Sequence, residues 1–118
     1  MQQSPVEEQI KLGKKKSDIK IACFGLAFKP DIDDLRESPS LDITLGLLSE
    51  YPGQVVAVEP NVQSSPAMLE FAGGKLVDLD AGLKADILVM LVEHAEFKQQ
   101  KPIIKSSQTL VDAKGIWI

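Results

Sequence analysis

Short apolar runs recur along the chain, spaced so that one helix fits between each pair. The first, "IKIACF" at residues 19–24, is rich in β-branched residues and predicts a buried strand. "QVVAVEP" predicts a second strand that stops at Pro60, and "KLV" at 75–77 a short third. "ADILVMLV" predicts a fourth and "QTLVDAKG" a last. The run at 87–92 has no polar alternation, as expected of a central strand covered on both faces.

Between these runs the period lengthens. Ser4-Pro5-Val6-Glu7 offers a Ser cap, Pro at the first helical position and Glu three residues after the cap. With Val6 and Ile10 on its apolar side, it predicts a short helix ending in Lys14-Lys15-Lys16, where positive charge suits unpaired carbonyls. Ser38-Pro39 repeats that opening, and Leu41, Leu45 and Leu48, with Leu47 beside them, mark the buried face of a second helix. Ser65-Pro66 opens a third helix that runs to about Phe71 and closes at Gly73-Gly74. "LDAGLKA" reads as a weak helical turn and "EHAEFKQQ" as a last helix.

Strands alternating with helices imply right-handed βαβ units and a parallel sheet. The expected fold class is α/β: a small Rossmann-like, doubly wound, mainly parallel sheet of about five strands flanked by helices. Residues 1–18 are expected as an N-terminal helix and linker, and 19–118 as the domain.

Composition narrows the function. A chain of 118 residues, 44% hydrophobic and 25% charged, suits one globular domain with a real core. Its net charge of −4 argues against nucleic acid as a partner. A single cysteine, Cys23, leaves no internal disulfide and fits a reducing compartment. No apolar stretch reaches spanning length, and the N-terminus has no signal-peptide core, so a cytoplasmic domain with no membrane partner is expected.

The candidate chemistry lies in "GLAFKPDIDDLRESP", residues 25–39. In open α/β sheets ligands sit at the carboxyl ends of the strands, where strand order reverses. The connection after the first strand is longer than the usual span of about 2–6 residues, and long loops tend to be functional. Of the three glycines of a dinucleotide fingerprint only Gly25 is present, so backbone capture of a pyrophosphate is not expected. The loop instead offers Lys29 as a point cation and Arg36 as a planar fork, just before a helix N-terminus that favours an anion. Two plainer readings stay open: the cations pair with Asp31, Asp33 and Asp34, or those acids bind a metal. The metal reading lacks the glycine of a calcium loop, so no metal site is expected.

Other strand ends supply further candidates. Lys114 follows the last strand and can reach toward a neighbouring one, or is a plain surface lysine. His94 is a capping or packing residue or a base, and Glu59 could accept a ribose hydroxyl. Cys23, mid-strand among apolar neighbours, reads as an inert thiol.

Taken whole, "GLAFKPDIDDLRESPSLDI" resembles the C-terminal domain of the UDP-glucose/GDP-mannose dehydrogenase family, through the signature G-x-A-F-K-x-x-x-D-D-x-R-x-S-P. "VVAVEPN", "ADILVMLVEHAEF" and "VDAKGIW" extend the resemblance over residues 19–118. The details "DIDDLRES", "VEPN", "LVEH" and "VDAKG" look most like the UDP-N-acetylmannosamine dehydrogenase branch. Those enzymes oxidise a sugar C6 alcohol to a carboxylate in two NAD-dependent steps. The resemblance implies that Phe28 and Lys29 contact the UDP-sugar and that Arg36 approaches the NAD side of a cleft. Lys114 stands where the family often has an arginine on the nucleotide-sugar, a departure that loses bidentate geometry. NAD would be held mainly by an N-terminal domain of the same full-length chain, and the family implies dimers or larger assemblies. The glycine fingerprint and the family's nucleophilic cysteine do not occur in these residues, so no catalytic residue and no dehydrogenase activity are expected of this chain alone. The alternative is a stand-alone anion- or nucleotide-binding regulatory module.

Overall fold

Each apolar run becomes a strand, and every strand pairing is parallel. The computed structural model describes residues 5–27, 38–60, 67–99, 102–112 and 114–117. Strands β1 (Ile21–Phe24), β2 (Val55–Val58), β3 (Lys75–Leu76), β4 (Ile87–Met90) and β5 (Thr109–Asp112) form one sheet in the order β3-β2-β1-β4-β5. The α/β, Rossmann-like expectation is met. The chain winds outward from β1 to β3, then returns to the other side of β1, so strand order reverses between β1 and β4.

Helices α1 (Pro5–Lys11), α2 (Pro39–Glu50), α3 (Ala67–Phe71), α4 (Leu79–Gly82) and α5 (Ala95–Gln99) connect and cover the strands. Side chains alternate across β1. Ile21 and Cys23 join Val6 of α1, Leu41 and Leu48 of α2 and Leu69 of α3 in one core layer. Ala22 and Phe24 join Leu79 of α4, Phe97 of α5 and Trp117 in the other. Phe24 meets Phe97 and Trp117 edge-on, with ring centroids 5.7 and 4.9 Å away. Full burial of Phe24 and of Phe97 contributes roughly 1.5–3 kcal/mol each.

Local signals account for the start of α2 and the end of α3, while the expected Ser4 and Ser65-Pro66 openings lie outside the described residues. Ser38 caps α2, its Oγ accepting from the Leu41 amide at 3.3 Å, with Pro39 in the first turn. Helix α3 closes at the expected glycines: the Gly74 amide donates to Leu69 O and the Gly73 amide to Glu70 O. Two expectations for α1 need correcting. The helix stops before the lysine run, because Gly13 takes a left-handed φ of 98° and the amides of Gly13 and Lys14 close back on Ile10 O and Gln9 O. Lys16 instead begins a 3₁₀ turn that ends at Asp18. Gln9, not Ile10, is the buried residue, with Ile10 45% exposed. The Gln9 amide is drawn inward by Asp86 O, Ser107 O and Thr109 Oγ1, at 3.2, 3.1 and 2.9 Å.

Candidate nucleotide-sugar site

The strand-order reversal places the ends of β1 and β4 side by side, and the chemistry gathers there. β1 runs out through Gly25, whose amide donates to Val58 O at 2.8 Å. Gly25 has φ 100°, and a Cβ on it would stand 2.5 Å from the Val92 Cβ, so only glycine lets the chain leave the sheet here. The next two amides, of Leu26 and Ala27, donate to a single oxygen, Oε1 of Glu59, at 2.8 and 3.0 Å. That oxygen also lies 2.8 Å from Nε2 of His94. Both side chains of the Glu59–His94 pair are fully buried. With the carboxylate ionised, Nε2 is the protonated ring nitrogen.

A second tie closes the root of the loop. Ser38 Oγ donates to Leu26 O at 2.6 Å while it caps α2. The Leu26–Ala27 peptide is thus held from both sides: its N–H by Glu59 at the end of β2, its carbonyl by Ser38 at the head of α2. Residues 26 and 38, on either side of the charged segment, are joined directly.

Across the site, Asp112 at the end of β5 gathers backbone amides. Its Oδ1 accepts from Lys114 and Gly115 at 3.1 and 2.7 Å, and its Oδ2 from Trp117 at 2.7 Å. Trp117 then donates its indole N–H to Phe97 O at 2.8 Å. This turn presents Lys114, whose Nζ lies 4.0 Å from Glu93 Oε2, with the lysine side chain 41% exposed. Such a long, half-exposed pair contributes about 0–1 kcal/mol and leaves the cation available to a better anion.

Of the residues singled out from sequence, Lys114 takes its place at the carboxyl end of the sheet. Phe28, Lys29 and Arg36 lie outside the described residues, as do Asp31, Asp33 and Asp34. Glu59 turns its carboxylate inward, with Oε1 accepting from two amides and lying against the His94 ring. His94 follows its packing reading, with its carbonyl accepting from the first turn of α5 and its ring buried against Phe97 at 5.5 Å. Burial pushes the Cys23 thiol up from 9.0 to about 11, against a smaller lowering by its hydrogen bond with Thr44. It is unreactive at neutral pH. Asp112 and Ser38 were not read as site residues. Aspartate followed three positions later by glycine after a strand, as in "DAKG", is the signal that marks the first.

The amide ties also test this domain for NAD. In dinucleotide folds the backbone amides after β1 face a pyrophosphate. Here the amides of Gly25, Leu26 and Ala27 are consumed by Val58 O and Glu59. The turn after β1 does not fit that cofactor. Among the described residues no helix is long and apolar enough to cross a membrane.

Comparison with known proteins agrees with this geometry. Residues 22–118 match the model of the UDP-glucose/GDP-mannose dehydrogenase family, UDP binding domain. The chain is 49% identical over 105 residues to a UDP-N-acetyl-D-mannosamine dehydrogenase of Yersinia pestis, covering 88% of this chain and 25% of the relative. It is 53% identical over 92 residues to one of Campylobacter jejuni, covering 74% of this chain and 23% of that protein. A solved UDP-N-acetyl-mannosamine dehydrogenase of Staphylococcus aureus superposes with a TM-score of 0.64 at 29% identity, over 95% of this chain and 26% of its own. The chain spans about a quarter of the length of the relatives it matches.

Proposed function

The chain belongs to the UDP-glucose/GDP-mannose dehydrogenase family, and from that premise we propose that it is the nucleotide-sugar-binding part of an NAD-dependent UDP-sugar 6-dehydrogenase, acting on UDP-N-acetylmannosamine. One observation carries the reading. The segment bearing Phe28, Lys29 and Arg36 is rooted where strand order reverses, at a helix N-terminus, with Lys114 presented at the same end of the sheet. Lys29 and Lys114 meet the diphosphate, Phe28 packs on the nucleotide-sugar, and Arg36 faces the NAD side. The cofactor, which accepts hydride from the sugar carbon, is held mainly by an N-terminal domain. Internal use of the amides after β1 supports that division. The domain proper is residues 19–118, with 1–18 as the helix and linker leading into it. It works in the cytoplasm, and the full-length enzyme is a homo-oligomer.

Titration of this chain with UDP, followed by calorimetry and by amide NMR shifts, tests the reading. Binding is expected, with shifts at residues 25–27, 38–41 and 114–115. Lys29→Ala removes a charge-assisted contact and is expected to weaken binding roughly 10- to 100-fold, with Lys114→Ala costing less. No shift with millimolar UDP, or an unchanged affinity in Lys29→Ala, overturns it. NADH formed by this chain alone from UDP-N-acetylmannosamine and NAD would overturn the division of labour.

A further inference from the structure

We propose that Glu59, braced by His94, is a positioning residue for nucleotide-sugar binding: a buried clamp that fixes where the charged segment leaves the sheet. The inference rests on the nucleotide-sugar reading above and deepens it. It joins three strand ends. Glu59 comes from the end of β2, His94 from beyond β4, and the clamped amides of Leu26 and Ala27 from beyond β1. A buried carboxylate needs donors, and two backbone amides with an imidazole N–H converge here on one oxygen. Neither Glu59 nor His94 has exposed side-chain surface, so neither touches ligand.

The clamp acts on direction. Leu26 and Ala27 immediately precede Phe28 and Lys29 in the chain. With the Leu26 carbonyl bound to Ser38 and the Ala27 N–H bound to Glu59, the Leu26–Ala27 peptide plane cannot rotate without breaking a bond on either side. The chain therefore leaves β1 at Leu26–Ala27 in one fixed direction and re-enters at Ser38 from a fixed point. Fixing these two roots before the ligand arrives lowers the entropic cost of binding. An apolar side chain at position 59 would strand the Leu26 and Ala27 amides and leave the exit of the chain unfixed. A carboxylate whose oxygen gathers these two amides is what a defined exit direction requires.

The test compares Glu59→Gln, which keeps shape, with Glu59→Ala, in this chain, by UDP calorimetry, thermal melting and amide NMR. In the wild type the Leu26 and Ala27 amide protons are expected far downfield and slow to exchange. Glu59→Ala is expected to collapse both signatures and weaken UDP binding about tenfold or more. Glu59→Gln, a weaker neutral acceptor, is expected to shift both amides partly upfield and weaken UDP about threefold, with a melting temperature near wild type. If Glu59→Ala does not fold, Glu59→Gln decides. Unmoved Leu26 and Ala27 amides, or moved amides with wild-type UDP affinity, overturn the clamp. If the wild-type chain binds no UDP, the nucleotide-sugar reading fails by itself. Backbone ¹⁵N relaxation then decides the clamp: added motion at residues 26–27 in Glu59→Gln supports it, and none overturns it.

Discussion

The two ends of the sheet solve opposite hydrogen-bonding problems. At the amino end, turns leave carbonyls pointing inward, and glutamine amides donate to them. Gln9 reaches Asp86 O and Ser107 O, Gln54 reaches Lys16 O and Ile19 O, and Gln108 reaches Leu83 O and Ala85 O. At the carboxyl end, chain leaving the strands and entering helices leaves N–H groups, and oxygens accept from them. Glu59 takes two amides, Asp112 three, Asp78 the Ala81 amide and Ser38 the Leu41 amide. The polarity follows from the parallel topology, which gathers helix N-termini at one end of the sheet. The difference teaches where precision is held. A carbonyl that loses one donor can keep a bond through its second lone pair, whereas an N–H that loses its acceptor has no other bond to make, so the carboxyl end tolerates less change.

The largest way to break this contrast is a paired glycine experiment. Gly25→Ala drives a methyl into Val92 at the carboxyl end and is expected to cost about 3–5 kcal/mol in urea unfolding. Gly13→Ala has the same sign of φ but nothing within 4 Å, so only its backbone strain of about 1 kcal/mol should appear. Equal losses would remove the contrast.

Cys23 lies midway between the ends and gives a control that belongs to neither. Its thiol holds its proton up to about pH 11 when folded, whereas the unfolded chain releases it near 9.0. Between these values the unfolded state binds fewer protons, so stability falls as pH rises, by roughly 2–3 kcal/mol in total. Denaturation curves of wild type and Cys23→Ala should diverge across that window and run parallel below it. A flat difference would show that the thiol is not desolvated.

The finest test sets an acceptor against a donor. Asp112→Ala strands three amides and is expected to cost about 2 kcal/mol, while Gln9→Leu leaves carbonyls short of a donor and should cost about 1 kcal/mol. A larger loss from Gln9→Leu would reverse the ranking of the two ends.

The same asymmetry explains what could be read from the sequence. Apolar periodicity gave the five strands, and the Ser-Pro and Gly-Gly signals gave the start of α2 and the end of α3, because those rules act within a few residues. Gln9 was passed over because its partners lie 77–100 residues away, and a lone polar residue in a short helix carries no sign of them. Glu59 announced an acid at a strand end but not its direction, which depends on amides 32 and 33 positions earlier. The position of Lys114 at the carboxyl end was legible because it directly follows the last apolar run.

Trp117 is the chain's single tryptophan, its ring edge against Phe24 and its N–H on Phe97 O. An indole so shielded from water emits toward the blue, and red-edge excitation, which spares Tyr51, selects its signal. Because its backbone amide also binds Asp112, any loosening of the turn that presents Lys114 would redden that emission. The fold thus carries its own lamp beside the candidate site, lit without a label.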